Sequence, residues 1–165
     1  MDLLLRLGDA KDSEAIALIY NQGIEDRIAT FEVIPRSARS VKKWFDGIHP
    51  IVVGEIDSKV IAFASTSSYK DRDCYKGIAE FSIYVQREFR GRGIGKALIK
   101  RLIEEAENRG FWKLISRIFV ENTQSRALMV NSGFREVGVY QKHGKLNGTW
   151  RDVVIVELLI MCNLK

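Results

Sequence analysis

The segment Arg90-Gly91-Arg92-Gly93-Ile94-Gly95-Lys96 combines glycines and cations at a spacing that suits phosphate chemistry. Glycines let the main chain approach a ligand with no Cβ between them. Where such a turn opens a helix, its N–H groups and the positive helix end face an anion, and Arg90, Arg92 and Lys96 add charge-assisted hydrogen bonds. A tight strand-to-helix turn with solvated charges would have the same composition. Two rival phosphate loops are excluded by spacing. A P-loop needs Gly-Lys-Ser/Thr, but Ala97 follows Gly95-Lys96 and offers no hydroxyl to a metal ion. The dinucleotide fingerprint is GxGxxG after an early strand, whereas these glycines run GxGxG late in the chain.

The elements around this turn read as α+β with a mixed sheet. Leu3, Leu5 and Leu7 alternate as a short strand, and Asp12 or Ser13 caps a helix carrying Ile16, Ile19 and Tyr20. A second helix starts at Ser37 or Ser40, with Val41, Trp44, Phe45 and Ile48 on one face, and stops at Pro50. Ile51 to Ile56 and Val60 to Ser67 form a hairpin about Asp57-Ser58-Lys59. After a loop from Tyr69 to Gly77, Ile78 to Val85 is a strand. From Ile94 the period becomes helical, with Ile94, Leu98, Leu102 and Ala106 on one stripe and Gly110 as the stop. A strand over Lys113 to Val120, a helix over Ser125 to Ser132 and strands over Phe134 to Gln141 and Thr149 to Ile160 complete the order. The last two meet at Asn147-Gly148.

Composition narrows the function. The chain has 165 residues, 46% of them hydrophobic, which suits one domain over 1–165. Its net charge of +5 comes from 26 basic residues interleaved with 21 acidic ones. No basic stripe with stacking aromatics is present, so a nucleic-acid partner is not expected and a small polyphosphate fits better. Cys74 and Cys162 belong to no metal-ligand spacing, so no metal is expected, and reduced thiols suit a cytoplasmic protein. The apolar start is too short for a leader or a membrane span.

Arg90-x-x-Gly93-x-Gly95 with a helix behind it resembles the acetyl-CoA signature of the GCN5-related N-acetyltransferases, the GNAT superfamily. Asn122, followed by a short helix ending at Gly133-Phe134, is similar to that family's next cofactor element. The resemblance implies a central mixed, mostly antiparallel twisted sheet of about seven strands with about four flanking helices. It also implies a splayed strand whose Ile83, Tyr84 and Val85 offer backbone groups to the pantetheine arm. Gly91, Ile94 and Lys96 belong to the same acetyl-CoA-binding turn, and Asn122 and Asn131 would contact the cofactor.

The stretch from Tyr69 to Val85, through Arg72, Tyr75, Glu80, Ser82 and Tyr84, looks like the phosphinothricin and methionine sulfoximine acetyltransferases. So do Ile19-Tyr20-Asn21, Ala29-Thr30-Phe31-Glu32 and Pro35, and later Gly148, Trp150 and Asp152. Tyr69 departs from the branch's usual Trp, and its late Gly-x-Lys spacing is not kept around Gly144-Lys145. By this resemblance Phe31, Glu32, Arg72 and Tyr75 orient the substrate, with Arg72 suited to a carboxylate and Glu32 to an ammonium group. Dimers are common in this branch, so a homodimer is expected.

Amide formation needs a neutral amine. Deprotonation near pH 7 costs about 1.4 kcal/mol for an α-amine and about 4.6 kcal/mol for a lysine amine, which favours the α-amine. Glu80, one strand position set before the cofactor segment, is the expected base. No acid is assigned: Met129 stands where related enzymes carry Tyr, and Tyr84 reads first as a core residue. His143 reads as a turn residue without a ligand role. The expected reaction acetylates the α-amine of a small amino-acid analogue. A protein N-terminus as acceptor and an acetyl-CoA-binding module without turnover are the alternatives.

Overall fold

The computed structural model describes residues 2–165. Strand β1 (Leu4–Leu7) pairs antiparallel with β2 (Ile51–Ile56), which turns into β3 (Lys59–Ser68) through Asp57 and Ser58, both with positive φ. That is the tight two-residue turn that matches strand twist. β4 (Ile78–Val85) follows β3, and β5 (Lys113–Phe119), β6 (Arg135–Leu146) and β7 (Thr149–Leu159) complete one sheet in the order β1-β2-β3-β4-β5-β7-β6. Only the β4–β5 neighbours run parallel. The expected seven-stranded, mostly antiparallel mixed sheet is what the chain forms.

Helices α1 (Ser13–Asp26) and α2 (Ala38–Lys42) cover one face, where Ile16, Ile19, Tyr20 and Val41 meet Val53, Phe63 and Tyr84. Helices α3 (Ile94–Asn108) and α4 (Thr123–Asn131) cover the other, where Leu98, Leu102 and Met129 meet Phe81, Leu114 and Val156. The stripe read from Ile94 to Ala106 is the buried side of α3.

Three boundaries differ from the sequence reading. Asp12 does not cap α1 with its side chain. It is nearly buried and takes two hydrogen bonds from Arg6, at 2.8 and 2.9 Å, while Asp9 caps a preceding 3-10 turn. A buried carboxylate needs its cation more than a helix N–H. Helix α2 ends early because the Asp46 carboxylate accepts from the N–H groups of Ile48 and His49, each at 2.8 Å, which leaves Ile48 exposed. β6 runs beyond Gln141: after a break in register, with Lys142 at φ 48, pairing resumes at Gly144↔Arg151.

β4 pairs with β3 from Ala79 to Val85, but with β5 only at Ile78, Ala79 and Glu80. Beyond Glu80 the two parallel strands part. The Phe81 carbonyl accepts from the Ser116 hydroxyl at 2.8 Å in place of a ladder bond, and buried Met129 reaches the gap from α4. At the closed end Trp112 N–H donates to the Gly77 carbonyl at 2.8 Å. A Cβ on Gly77 would lie 1.8 Å from the Trp112 ring, so only glycine lets the strands close there.

Candidate active site

The V between β4 and β5 opens onto the N-terminus of α3. Gly91 and Gly93 have φ of 73 and 78, so the turn uses the left-handed region twice before α3 begins at Ile94. A Cβ at either would meet no protein atom within 4 Å, because both face the open cleft. Gly95 has another purpose: its Cα faces Leu128 of α4, whose Cδ2 would lie 3.0 Å from an added Cβ. The first two glycines shape the cradle, and the third sets the distance between the helices.

This cleft has a volume of about 670 Å³. Of the residues read as cofactor-binding, Ile83, Tyr84, Val85, Arg90, Gly91, Gly93, Ile94, Gly95, Lys96, Asn122 and Asn131 all line it. Arg92 does not, and its guanidinium lies over the Phe89 ring at 5.3 Å. Gln86 N–H donates to the Ile61 carbonyl at 2.9 Å, which fixes the phase of the β3–β4 ladder. Alternation then turns the backbone of Ile83 and Val85 toward the open side and that of Tyr84 toward β3. Tyr84 therefore contributes its ring. Burial, together with neighbouring Tyr20, pushes its hydroxyl well above the usual tyrosine range, so it stays protonated.

Arg90 is held ready at the cleft wall. Its Nε donates to the Val85 carbonyl at 2.9 Å, and its Nη1 lies 2.7 Å from the Asp26 carboxylate. Burial pushes the Asp26 carboxyl up, but hydrogen bonds from Arg87 and Arg90 outweigh it and leave the group below its ordinary range. Asn122 caps α4 by accepting from Ser125 N–H at 3.2 Å and donates to the Ile28 carbonyl at 3.2 Å. Its amide ties the loop after α1 to α4.

On the opposite side of the splay lies a second pocket of about 380 Å³. Phe31, Glu32 and Glu80, three of the residues read as acting on the amine, line it together. A narrow throat of about 70 Å³ shares walls with both: Ile83, Asn122 and Ser125 line both throat and cleft, while Ser82, Ser116 and Phe119 line both throat and pocket. Ala29 and Tyr84 border all three. Met129 lines the throat without a proton to give.

Arg72 and Tyr75 are not brought to this pocket. They precede β4 at its closed end, where the Arg72 guanidinium stacks over Tyr75 at 5.6 Å and Tyr75 packs edge-on against Tyr69. Two pocket residues escaped the sequence reading. His143, taken there for a turn residue, lines the wall, and Arg117 donates from Nη2 to both Glu80 oxygens, at 2.9 and 3.0 Å. The available signal for Arg117 was alternation, since it sits between Ile115 and Phe119 on one face of β5. The parallel register Glu80↔Ile115, which sets it beside Glu80, has no local signature.

A helix end with free N–H groups, an open strand edge and a carboxylate in the adjoining pocket make an arrangement suited to group transfer from a phosphate-bearing donor. Comparison with known proteins agrees. The family model described as "Acetyltransferase (GNAT) family" matches residues 20–134. The chain belongs to this family. This acetyltransferase is 30% identical to the phosphinothricin N-acetyltransferase of Alcaligenes faecalis, covering 88% of this chain and 77% of that one. It is 27% identical to the L-methionine sulfoximine/L-methionine sulfone acetyltransferase of Pseudomonas aeruginosa strain PAO1, over 96% and 95% of the two chains. Among solved structures, the GNAT superfamily phosphinothricin acetyltransferase of Sinorhizobium meliloti in complex with acetyl-CoA superposes with a TM-score of 0.89. Its identity is 32%, with 96% of this chain and 89% of that one covered.

Proposed function

We propose that this acetyltransferase moves the acetyl group of acetyl-CoA onto the α-amine of a small amino-acid analogue, with methionine sulfone, methionine sulfoximine and phosphinothricin as the first candidates. The observation that carries the reading is the single channel running from the Gly91–Gly93 turn, through the throat, to Glu80. The open turn and the α3 N-terminus suit a pyrophosphate, with Arg90 and Lys96 as its cations. The outward backbone groups of Ile83 and Val85 suit the amides of a pantetheine arm. Acetyl-CoA supplies the activated acyl group.

Glu80 accepts a proton from the substrate ammonium, and the neutral nitrogen attacks the thioester carbon. The new C–N bond forms, the C–S bond breaks with its electron pair on sulfur, and the second proton shed by nitrogen passes through solvent to that thiolate, giving the amide and the thiol of CoA. Phe31, against Phe119 at a centroid distance of 4.7 Å, bounds the pocket on its apolar side. Glu32 stands beside it and pairs with Arg36 at 3.0 Å. Asn21 steadies this loop by bonding both the carbonyl and the N–H of Arg36, at 3.0 and 2.8 Å.

The same reading has residues 1–165 acting as one domain, in a cytoplasmic homodimer without nucleic-acid or membrane partners. Exposed Val137, Val139 and Tyr140 on edge strand β6 support self-association. Exposed, unpaired Cys74 and Cys162 suit a reducing compartment. Among the described residues no helix is long and apolar enough to cross a membrane. Steady-state acetylation of methionine sulfone, methionine sulfoximine, phosphinothricin and a panel of short peptides tests the substrate class. Turnover of the small amino acids is expected, and turnover of peptides alone overturns the reading.

A further inference from the structure

Among the described residues, Arg117 carries the one guanidinium or ammonium group that lines the amine pocket. We propose that it receives the α-carboxylate of the substrate and thereby selects free amino acids over amines lacking an acid group. The inference rests on the reaction proposed above and replaces the role that resemblance gives to Arg72.

The geometry favours Arg117 on three counts. First, among the described residues only its Nη2 is engaged, toward Glu80, so Nε and Nη1 are free to donate from the same planar fork. Second, its side chain borders both pocket and throat and is 48% exposed, so the fork is accessible to a ligand in the pocket. Third, the two carboxylates of the pocket, Glu32 and Glu80, do not compete for an anion, the Glu32 partner Arg36 is not part of the wall, and the one other basic side chain in the wall, His143, is an imidazole without the bidentate fork.

An α-amino acid carries its amine and its carboxylate one carbon apart. Glu80 and Arg117, in direct contact, present the reverse charges side by side. A zwitterion laid across the pair places its nitrogen at Glu80, where the proton must go, and its carboxylate at the free edge of Arg117. The Arg117–Glu80 contact through Nη2 need not break. Bidentate recognition of this kind belongs to arginine, and lysine keeps the charge without the fork.

The test compares L-methionine sulfone with its primary carboxamide as acceptors for wild type, Arg117→Gln, Arg117→Lys and Arg72→Gln. For Arg117→Gln, kcat/KM on the free acid is expected to fall about 10- to 100-fold further than on the carboxamide, mainly through KM, since any loss through Glu80 is common to both acceptors. Arg117→Lys recovers part of the loss on the acid. Equal losses on acid and amide overturn the inference and leave Arg117 as a residue that positions Glu80. No loss on either, or an acid-selective loss in Arg72→Gln instead, also overturns it. Wild-type protein that acetylates neither compound overturns the proposed reaction and this inference with it, whereas the former outcomes overturn the inference alone.

Discussion

The two ends of the channel are built differently. The cofactor cleft draws most of its wall from one stretch of chain between Ile83 and Lys96, with Asp26 of α1 beside it, and closes with α4. The amine pocket takes Tyr20 from α1, Phe31 and Glu32 from the following loop, Glu80 from β4, Arg117 from β5 and His143 from β6. The first works largely through main-chain groups that a turn and a splayed strand leave unpaired. The second works through side chains whose proximity depends on sheet register. A ligand common to many relatives suits the first construction, because backbone groups survive changes of side chain. A varying acceptor suits the second, where one substitution changes what is recognised.

Exchanging chemistry at one end while leaving the other intact separates these roles. Glu80→Gln has the largest expected effect, a fall in kcat of about 100-fold with KM for acetyl-CoA unchanged. The deficit narrows as pH rises toward the substrate amine's own pKa, where less deprotonation is required. A pH–rate profile parallel to wild type would remove Glu80 from the base role.

Gly93→Ala acts at the other end. At φ 78 an L side chain costs about 1–2 kcal/mol, which predicts roughly a tenfold rise in KM for acetyl-CoA with little change in KM for the amine. Gly144→Ala mirrors it on a smaller scale. The new Cβ would lie 2.8 Å from Phe31 Cε1, so KM for the amine should shift about three- to fivefold, an overpacking cost at the low end of its range, while KM for acetyl-CoA stays put. If either glycine variant moves both KM values equally, the two ends are not separable.

Asp12→Asn, outside the channel, has the smallest kinetic effect and serves as the control. Arg6 keeps Glu55 at 2.7 Å, so the stability loss is about 1–2 kcal/mol, read as a lower Tm with kinetics unchanged. Hydrogen bonds from Arg6 outweigh burial and hold the Asp12 carboxyl below its ordinary 3.8. A depressed folded pKa stabilises the protein above 3.8 and loses that contribution as pH falls through the folded value. The Asn variant should therefore show a shallower loss of stability below about pH 4 than wild type. An equally steep loss would assign the acid sensitivity to other carboxylates.

The cofactor end was legible because its signal is local. Gly91 and Gly93 report backbone demands within one turn, and the Ile94–Ala106 stripe reports the helix behind it. The hairpin at Asp57-Ser58 and the turn at Asn147-Gly148 were legible for the same reason, since both hold residues at positive φ. The Asp12 cap and the Pro50 stop failed as boundaries because the Asp12 carboxylate is committed to Arg6 and the Asp46 carboxylate to the Ile48 and His49 N–H groups, contacts that local propensity does not announce.

The sequence by itself determined the glycine turn ahead of α3 and the order of strands and helices, because propensity, periodicity and glycine geometry act over a few residues. Only the tertiary structure decided that β4 and β5 part after Glu80, that Arg72 stays at the closed end and that Arg117 stands against Glu80. Those outcomes depend on which strands pair and in what register, an interaction between segments more than thirty residues apart that neither segment announces alone.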